Sequence, residues 1–272
     1  TTSASEEVLR LDGVRKTFRR GGGLFKRGSA VVAVKDARFS LAKGETLGLV
    51  GESGSGKSTL ARCVVRLFEP DGGSIAFHGT DLLRLSRAAM KPYRQRIQMV
   101  FQDPYASLNP RRKVGDIIAE GPVTHGVPRA QAIAKAKDLL RLVQLDAGAL
   151  DRYPHEFSGG QRQRIGLARA LALDPELLIA DEPVSALDVS VQAQVLALLD
   201  DIRHRLGLTM LFITHDLRVA AQVCDRIAVM QQGEIVELGD TAQVFGSPRH
   251  AYTRELLDAI PGKHWMPPRQ AA

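Results

Sequence analysis

An α/β fold is predicted by three observations. The apolar run Thr46-Leu47-Gly48-Leu49-Val50 leads into Gly51-Glu52-Ser53-Gly54-Ser55-Gly56-Lys57-Ser58, and an apolar-periodic stretch, Thr59 to Leu67, follows, which reads as strand, glycine-rich turn and helix. A second apolar run, Leu177-Leu178-Ile179-Ala180, ends in Asp181-Glu182, at the place where an α/β sheet carries its working residues. Strand-like and helix-like segments alternate through the second half of the chain.

The elements follow in order. Residues 1–8 read as disordered, Val8 to Phe18 as a strand, Arg19 to Ala30 with Gly21-Gly22-Gly23 as a flexible insertion, and Val31 to Ser40 as a second strand, an antiparallel edge. After the Thr59 to Leu67 helix, Glu69 to Gly73 forms a turn and Ser74 to Phe77 a strand. Asp81 to Tyr93 is expected to be helical and Arg96 to Phe101 extended. Pro104, Pro110, Pro122 and Pro128 then punctuate a segment whose periodic parts, Val114 to Glu120 and Arg129 to Leu145, are helical. The α/β pattern resumes with a helix from Gly160 to Leu173, the Leu177 strand, and a helix from Ser190 to Leu206 closed by Gly207. A strand at Thr209 to Ile213, a helix at Asp216 to Val223 and a hairpin from Arg226 to Leu238 through Gln232-Gly233 complete the pattern.

With 272 residues the chain suits one large α/β domain carrying a subdomain: a core of 8–102 and 158–240, a helical subdomain at 103–157 and a C-terminal tail at 241–272. Hydrophobic residues at 44% and charged residues at 25% are ordinary for a soluble protein, no apolar run approaches membrane-spanning length, and no leader pattern opens the chain, so a cytoplasmic location is expected. The net charge of +7 permits an anionic partner, whether nucleotide, lipid headgroup or nucleic acid, without choosing among them. Cys63 and Cys224 are expected to pack as buried thiols. The basic run Arg15 to Arg20, with Lys26 and Arg27, reads as a solvated loop.

The chemistry begins at the glycine-rich turn, which fits G-x-x-x-x-G-K-[S/T]. Its glycines let successive N–H groups point at phosphate oxygens, and the helix behind adds its partial positive charge. Lys57 can reach the β- and γ-phosphates and the Ser58 hydroxyl can ligate Mg²⁺, so Gly51, Ser53, Gly54, Ser55, Gly56, Lys57, Ser58 and Thr59 are the candidate nucleotide-binding residues. Asp181 is suited to hold Mg²⁺ opposite Ser58, and Glu182 to aim at the water that attacks the γ-phosphate. Ser158-Gly159-Gly160-Gln161 opens a helix with bare amides, a second phosphate-binding device in a chain that already has one. The economical reading is that it serves the nucleotide of a facing subunit.

These motifs, with Gln102 after an apolar strand, Ser185-Ala186-Leu187-Asp188 and Thr214-His215-Asp216, occur in an order and spacing that resembles the ATP-binding cassette (ABC) ATPases over residues 8–240. The resemblance implies a P-loop, RecA-like core with an antiparallel β edge subdomain and an inserted helical subdomain. It also implies ATP and Mg²⁺ as cofactors. Gln102 then looks like the glutamine that touches Mg²⁺ and water, His215 like the switch histidine at the γ-phosphate, and Asp188 like the residue coupling two sites across a dimer. Phe18 is the candidate for stacking on adenine, with Phe25 as its competitor. Phe157 and Val184 stand where the family often has Leu and Thr.

Two stretches, Met99 to Pro110 and the tail Phe245 to Leu257, look like the oligopeptide, dipeptide and nickel importer group, although Ala251 replaces a frequent proline. That group implies an ATPase at the cytoplasmic face of the inner membrane, beneath two permease subunits. It is paired with a second ABC ATPase, paralogue or self, and the complex is fed by an extracytoplasmic solute-binding protein. Peptide is the first solute, with nickel, glutathione or opine-like solutes behind it, and no nucleic-acid partner is expected. A non-transport ABC ATPase acting on nucleic acid or ribosomes is the alternative. With no cysteine after Cys224, no iron–sulfur cluster is expected near the C-terminus.

Overall fold

The computed structural model describes residues 6–19 and 30–260. Of the proposed flexible insertion, residues 20–29 with Phe25 lie outside the described residues, as do the first five residues, whereas Arg19 and Ala30 are strand residues. Along the chain run β1 (Glu7–Arg19), β2 (Ala30–Ala42), β3 (Thr46–Val50), α1 (Lys57–Val64), β4 (Gly72–Phe77), β5 (Thr80–Asp81), α2 (Lys91–Arg96), β6 (Ile97–Val100), α3 (Pro104–Ser107), α4 (Val114–Thr124) and α5 (Arg129–Leu142). The second half contributes α6 (Gly159–Leu171), β7 (Leu177–Asp181), α7 (Val189–Leu206), β8 (Thr209–Thr214), α8 (Leu217–Val223), β9 (Arg226–Gln231), β10 (Glu234–Asp240), α9 (Thr241–Gly246) and α10 (Ala251–Asp258). The chain divides into two compact units, 1–90 with 209–272, and 91–208.

In the first unit the strands lie in the order β5-β4-β1-β2-β10-β9-β3-β8. The long β1 and β2 pair antiparallel as expected, but neither is the sheet edge, because β4 and β5 lie outside β1 and β10 lies beside β2. β3 is buried at every residue because it sits between β8 and β9, parallel to both, with Val50 opposite Thr214 and Val229. A strand covered on both faces needs a continuous apolar run, and Thr-Leu-Gly-Leu-Val supplies it. β9 turns into antiparallel β10 through Gln232 and Gly233, at φ 47° and 87°, the two left-handed positions of a tight hairpin turn. α8 packs on β3 and β8, where a Cβ at Gly48 would come within 2.8 Å of Cys224 Sγ. Cys63 in α1 is also buried, and burial pushes its thiol up to about 11, which keeps it protonated and inert as expected.

In the second unit β6 and β7 run parallel, from Ile97 opposite Leu177 to Val100 opposite Ala180. Arg96 and Glu176 tie their entry points together by a side-chain ion pair and by the Glu176 N–H to the Arg96 carbonyl. α6 is the hub, packing on α3, α4, α5, β6 and α7. Its Ile165, Leu167 and Ala168 are buried, as are Ile117 and Ile118 of α4 and Ala136 and Leu140 of α5. α7 ends at Gly207, φ +62°, the expected left-handed C-terminal residue.

Several boundaries differ from the sequence reading. α1 stops at Val64, because the Leu67 N–H turns back to the Arg62 carbonyl while Arg66 takes a left-handed φ of 53°. α5 stops at Leu142 in the same way, with the Leu145 N–H on the Leu140 carbonyl and Gln144 at φ 59°. The expected helix from Asp81 to Tyr93 is largely absent. Asp81 pairs with β4 and caps a single turn at Leu82–Arg84, and the Arg66 guanidinium takes the Leu82 and Leu85 carbonyls, which a helix would have used itself. Only Lys91–Arg96 is helical there. At the other end of the chain's first strand, Glu7 and Val8 are already extended rather than disordered.

Candidate functional site

The phosphate-type loop lies between β3 and α1, at the carboxyl end of a parallel strand. Gly51 is locked in place by its lack of a side chain, since a Cβ there would stand 2.1 Å from the Met230 carbonyl oxygen. A Cβ at Gly56 would stand as close to the Ala33 carbonyl oxygen, at 2.2 Å, and the φ of 108° there disfavours an L side chain. The Gly233 N–H donates to the Ser55 carbonyl at 2.8 Å, so the β9–β10 turn also supports the loop. Ser55 and Lys57 are buried, whereas Glu52, Ser53 and Gly54 are exposed and Ser58 and Thr59 are partly exposed.

Lys57 is 4% exposed, and its ammonium donates to the Gly51 and Glu52 carbonyls, each at 2.7 Å, and to Ser55 Oγ at 3.3 Å. A buried cation is tolerated because these oxygens replace its water. No side chain caps α1 and no acidic residue stands in its first turn, so the helix presents its positive end to whatever enters the loop. An anion of phosphate type fits a cradle of backbone amides with a cation folded inside it.

His215 follows β8 in the same unit and is exposed. Beside it, Asp216 caps α8 by accepting the Arg218 N–H at 2.8 Å and pairs with the Arg218 guanidinium. Burial by itself would raise the Asp216 carboxyl, but these Arg218 bonds outweigh it and hold the group below its usual range. Phe18 stands on β1 with 37% of its surface exposed, edge-on to Phe68 at 5.3 Å between centroids and under the Lys16 ammonium at 5.4 Å.

The second unit assembles a different group. Asp181 closes β7 and is buried. Glu182, next to it, takes a left-handed φ of 46° and is partly exposed. Gln102 Nε2 donates to Glu182 Oε2 and to Ser185 Oγ, both at a long 3.4 Å, and the Ser185 hydroxyl donates to the Glu182 carbonyl at 3.1 Å. Gln102 and Glu182, 80 residues apart, thus meet as a loose polar cluster.

Ser158 and Gln161 form a reciprocal cap on α6: Ser158 Oγ accepts the Gln161 N–H at 3.3 Å, and Gln161 Oε1 accepts the Ser158 N–H at 3.0 Å. Gly159 is partly exposed and Gly160 is buried, with space for no Cβ because Val191 Cγ1 would be 2.4 Å away. Asp188 caps α7, accepting the Val191 N–H at 3.0 Å and the Ser190 hydroxyl at 2.8 Å, and these bonds hold its carboxyl below the usual range.

Two participants were not visible in the sequence. Ser185 lies within a quoted motif, but nothing in its spacing says that it meets both Gln102 and Glu182. The other is Tyr252 of α10, whose hydroxyl accepts the Glu52 N–H of the loop at 3.1 Å. Its stretch was legible only as a likeness in the tail.

Among the described residues no helix is long and apolar enough to cross a membrane. The ABC transporter family matches residues 34–185, more than half of the chain. The oligopeptide transport ATP-binding protein AppF of Bacillus subtilis is 50% identical over 96% of this chain and 80% of its own length. The oligopeptide transport ATP-binding protein OppF of Streptococcus mutans is 48% identical over 96% of this chain and 83% of its own. Among solved structures, a dimeric ATP-binding cassette in a post-hydrolysis state, bound to ADP and phosphate, superposes with a TM-score of 0.76 at 26% identity, covering 86% of this chain and 98% of that one. CbiO1 of Clostridium perfringens, part of the cbiONQ ABC transporter complex, gives 0.76 at 25% identity over 94% and 96%. A nucleotide cradle of this build, set in this fold and matched over this much of the chain, has one reading: the chain belongs to the ABC transporter family and is its ATP-binding, ATP-hydrolysing component.

Proposed function

We propose that the protein powers uptake of di- or oligopeptides as the ATPase subunit of an importer. The observation that carries this reading is the near-50% identity, along almost all of the chain, to two proteins named for oligopeptide transport. It works at the cytoplasmic face of the membrane, bound to two permease subunits and paired with a second ATPase, with an extracytoplasmic binding protein delivering the solute.

In this reading the loop from Gly51 to Thr59 holds the phosphates of ATP, with Lys57 leaving its loop carbonyls to bind the β- and γ-phosphates, and Phe18 carries the adenine. Ser58, Asp181 and Gln102 offer a hydroxyl, a carboxylate and an amide oxygen, an all-oxygen donor set that suits Mg²⁺, whose bound charge would neutralise the phosphates. Glu182 takes the proton of the attacking water, Gln102 orients that water, and His215 contacts the γ-phosphate. Ser158 to Gln161 and Asp188 serve the nucleotide of the facing subunit. Residues 103–157 form the helical subdomain whose movement, with Gln102, reaches the permeases. Closure around two ATP molecules and reopening after hydrolysis supply the work, through the difference in affinity between the two states.

The test is uptake of labelled dipeptide, longer peptide and Ni²⁺ by cells carrying Glu182→Gln at the native locus. Loss of a general base lowers turnover by about 10²–10⁴-fold, so peptide uptake should vanish while Ni²⁺ uptake persists. Unchanged peptide uptake would refute the solute, and rapid ATP turnover by the purified variant would refute the base.

A further inference from the structure

The segment after β10 has no part in the roles assigned above, yet it reaches the nucleotide loop. Glu237 of β10 is buried, 7% exposed, and its carboxylate accepts the Arg249 N–H at 2.8 Å and the His250 N–H at 3.0 Å, with Gln243 Nε2 at 3.4 Å. This clamp sets the start of α10, where His250 Nδ1 accepts the Tyr252 N–H at 3.2 Å. Tyr252 is thereby packed to 6% exposure with its hydroxyl on the Glu52 N–H.

The peptide unit between Gly51 and Glu52 is therefore held at both ends. Its carbonyl accepts from the Lys57 ammonium, and its N–H donates to Tyr252. The two bonds differ in what becomes of them when a phosphate arrives. An ammonium drawn to phosphate gives up the carbonyl, whereas the phenol lies on the tail and keeps the N–H. Gly51 has no slack of its own, because its Cα faces the Met230 carbonyl. The Tyr252 bond is then what keeps the first turn of the loop in its nucleotide-ready shape.

We propose that Tyr252 is a positioning residue for the nucleotide site: it anchors the Gly51–Glu52 peptide while Lys57 moves to phosphate, and the Glu237 clamp delivers it there. The proposal rests on the loop binding ATP in the ordinary way of the family. It gives the C-terminal segment a function, coupling the order of residues 241–258 to nucleotide affinity.

Tyr252→Phe keeps the ring and removes the acceptor. Measured on the full chain by equilibrium binding of ADP, the dissociation constant should rise about fivefold, the loss of one hydrogen bond of ordinary strength. KM for ATP should rise by a similar factor with kcat changed less than about twofold, since the bond shapes binding and touches no reacting atom. Hydrogen exchange at the Glu52 amide should accelerate with or without ADP. Glu237→Ala should weaken ADP binding in the same direction, and the double variant should lose less than the product of the two single effects, because both act through one path. Unchanged ADP affinity and unchanged Glu52 exchange in Tyr252→Phe would overturn the proposal, and fully multiplicative losses would overturn the role of Glu237. Exchange at Glu52 in the nucleotide-free protein reads the anchor by itself, so its failure is distinct from a failure of the loop to bind ADP.

Discussion

Replacing Gly51 by alanine tests whether the loop is shaped by close backbone approach. The new methyl group would stand 2.1 Å from the Met230 carbonyl oxygen and 2.9 Å from Ser55 Oγ, where ordinary contact begins at 3.4 Å. The serine hydroxyl can rotate away, but Met230 is fixed in β9 by its pairing with Ile235. The loop must therefore retreat by more than about 1 Å, which moves the two carbonyls that hold Lys57. Overpacking of this kind costs about 1–3 kcal/mol, and in a chain of this size each kcal/mol lowers Tm by about 2–4 °C. The expected outcome is a Tm reduced by about 2–12 °C in a thermal melt and an ADP affinity reduced about tenfold or more by calorimetry. Gly44→Ala separates strain from displacement. That position has φ +72° with open space around it, in the turn before β3, so it should lose about 1–2 kcal/mol of stability and leave ADP affinity unchanged. Wild-type Tm and ADP binding in Gly51→Ala would refute the reasoning.

Lys57→Ala should weaken ADP binding by more than about tenfold in the same calorimetric assay, because a charged hydrogen-bond donor to phosphate is worth about 1.5–3 kcal/mol; unchanged affinity would contradict its role. Burial by itself would raise the Glu237 carboxyl, but its hydrogen bonds, including those from the Arg249 and His250 N–H groups, prevail and hold it below the usual carboxylate range in the folded protein. A depressed folded value means that the ionised form favours folding, so this stabilisation is complete above pH about 4.5 and is lost as pH falls through the folded value. Tm followed downward from pH about 6 should therefore drop more steeply below pH about 4.5 in the wild type than in Glu237→Gln, and identical slopes would show that the clamp does not depend on the carboxylate.

Much of the first unit was legible because its central strands are buried on both faces. Such strands must be continuously apolar, and β3 and β8 declared themselves in this way, as β7 did in the second unit. The hairpin at Gln232-Gly233 was legible for a local reason, since its left-handed backbone needs those residue types. The segment after Asp81 was not legible, because its local helical pattern lost to a distant group. Arg66, 16 and 19 residues earlier, claims the carbonyls a helix would use. The glycine-rich loop was readable as a strand–turn–helix motif, because what its glycines must do is local. The meeting of Gln102 with Ser185, and of Tyr252 with Glu52, depends on pairings across 83 and 200 residues, and no periodicity encodes them.

The acidic pair at the end of β7 shows how one short stretch can give two neighbouring carboxylates different surroundings. Asp181 ends the strand in extended conformation and is 1% exposed, so its carboxylate is enclosed. Glu182 turns into the left-handed region at φ 46°, a conformation that disfavours a long side chain by about 1–2 kcal/mol. Glycine would adopt that turn without cost, and Ser185 already secures the turn itself, with its N–H at 3.3 Å and its hydroxyl at 3.1 Å both on the Glu182 carbonyl. The side chain is thus not needed to hold the backbone. What it contributes is a carboxylate set apart from its neighbour and placed beside the Gln102 amide. Two acids with identical surroundings would compete for one proton and one task, whereas an enclosed acid and a partly exposed one can divide metal binding from proton transfer. In the proposed division Asp181 holds the metal and Glu182 takes the proton, and the strained backbone at Glu182 supports that reading.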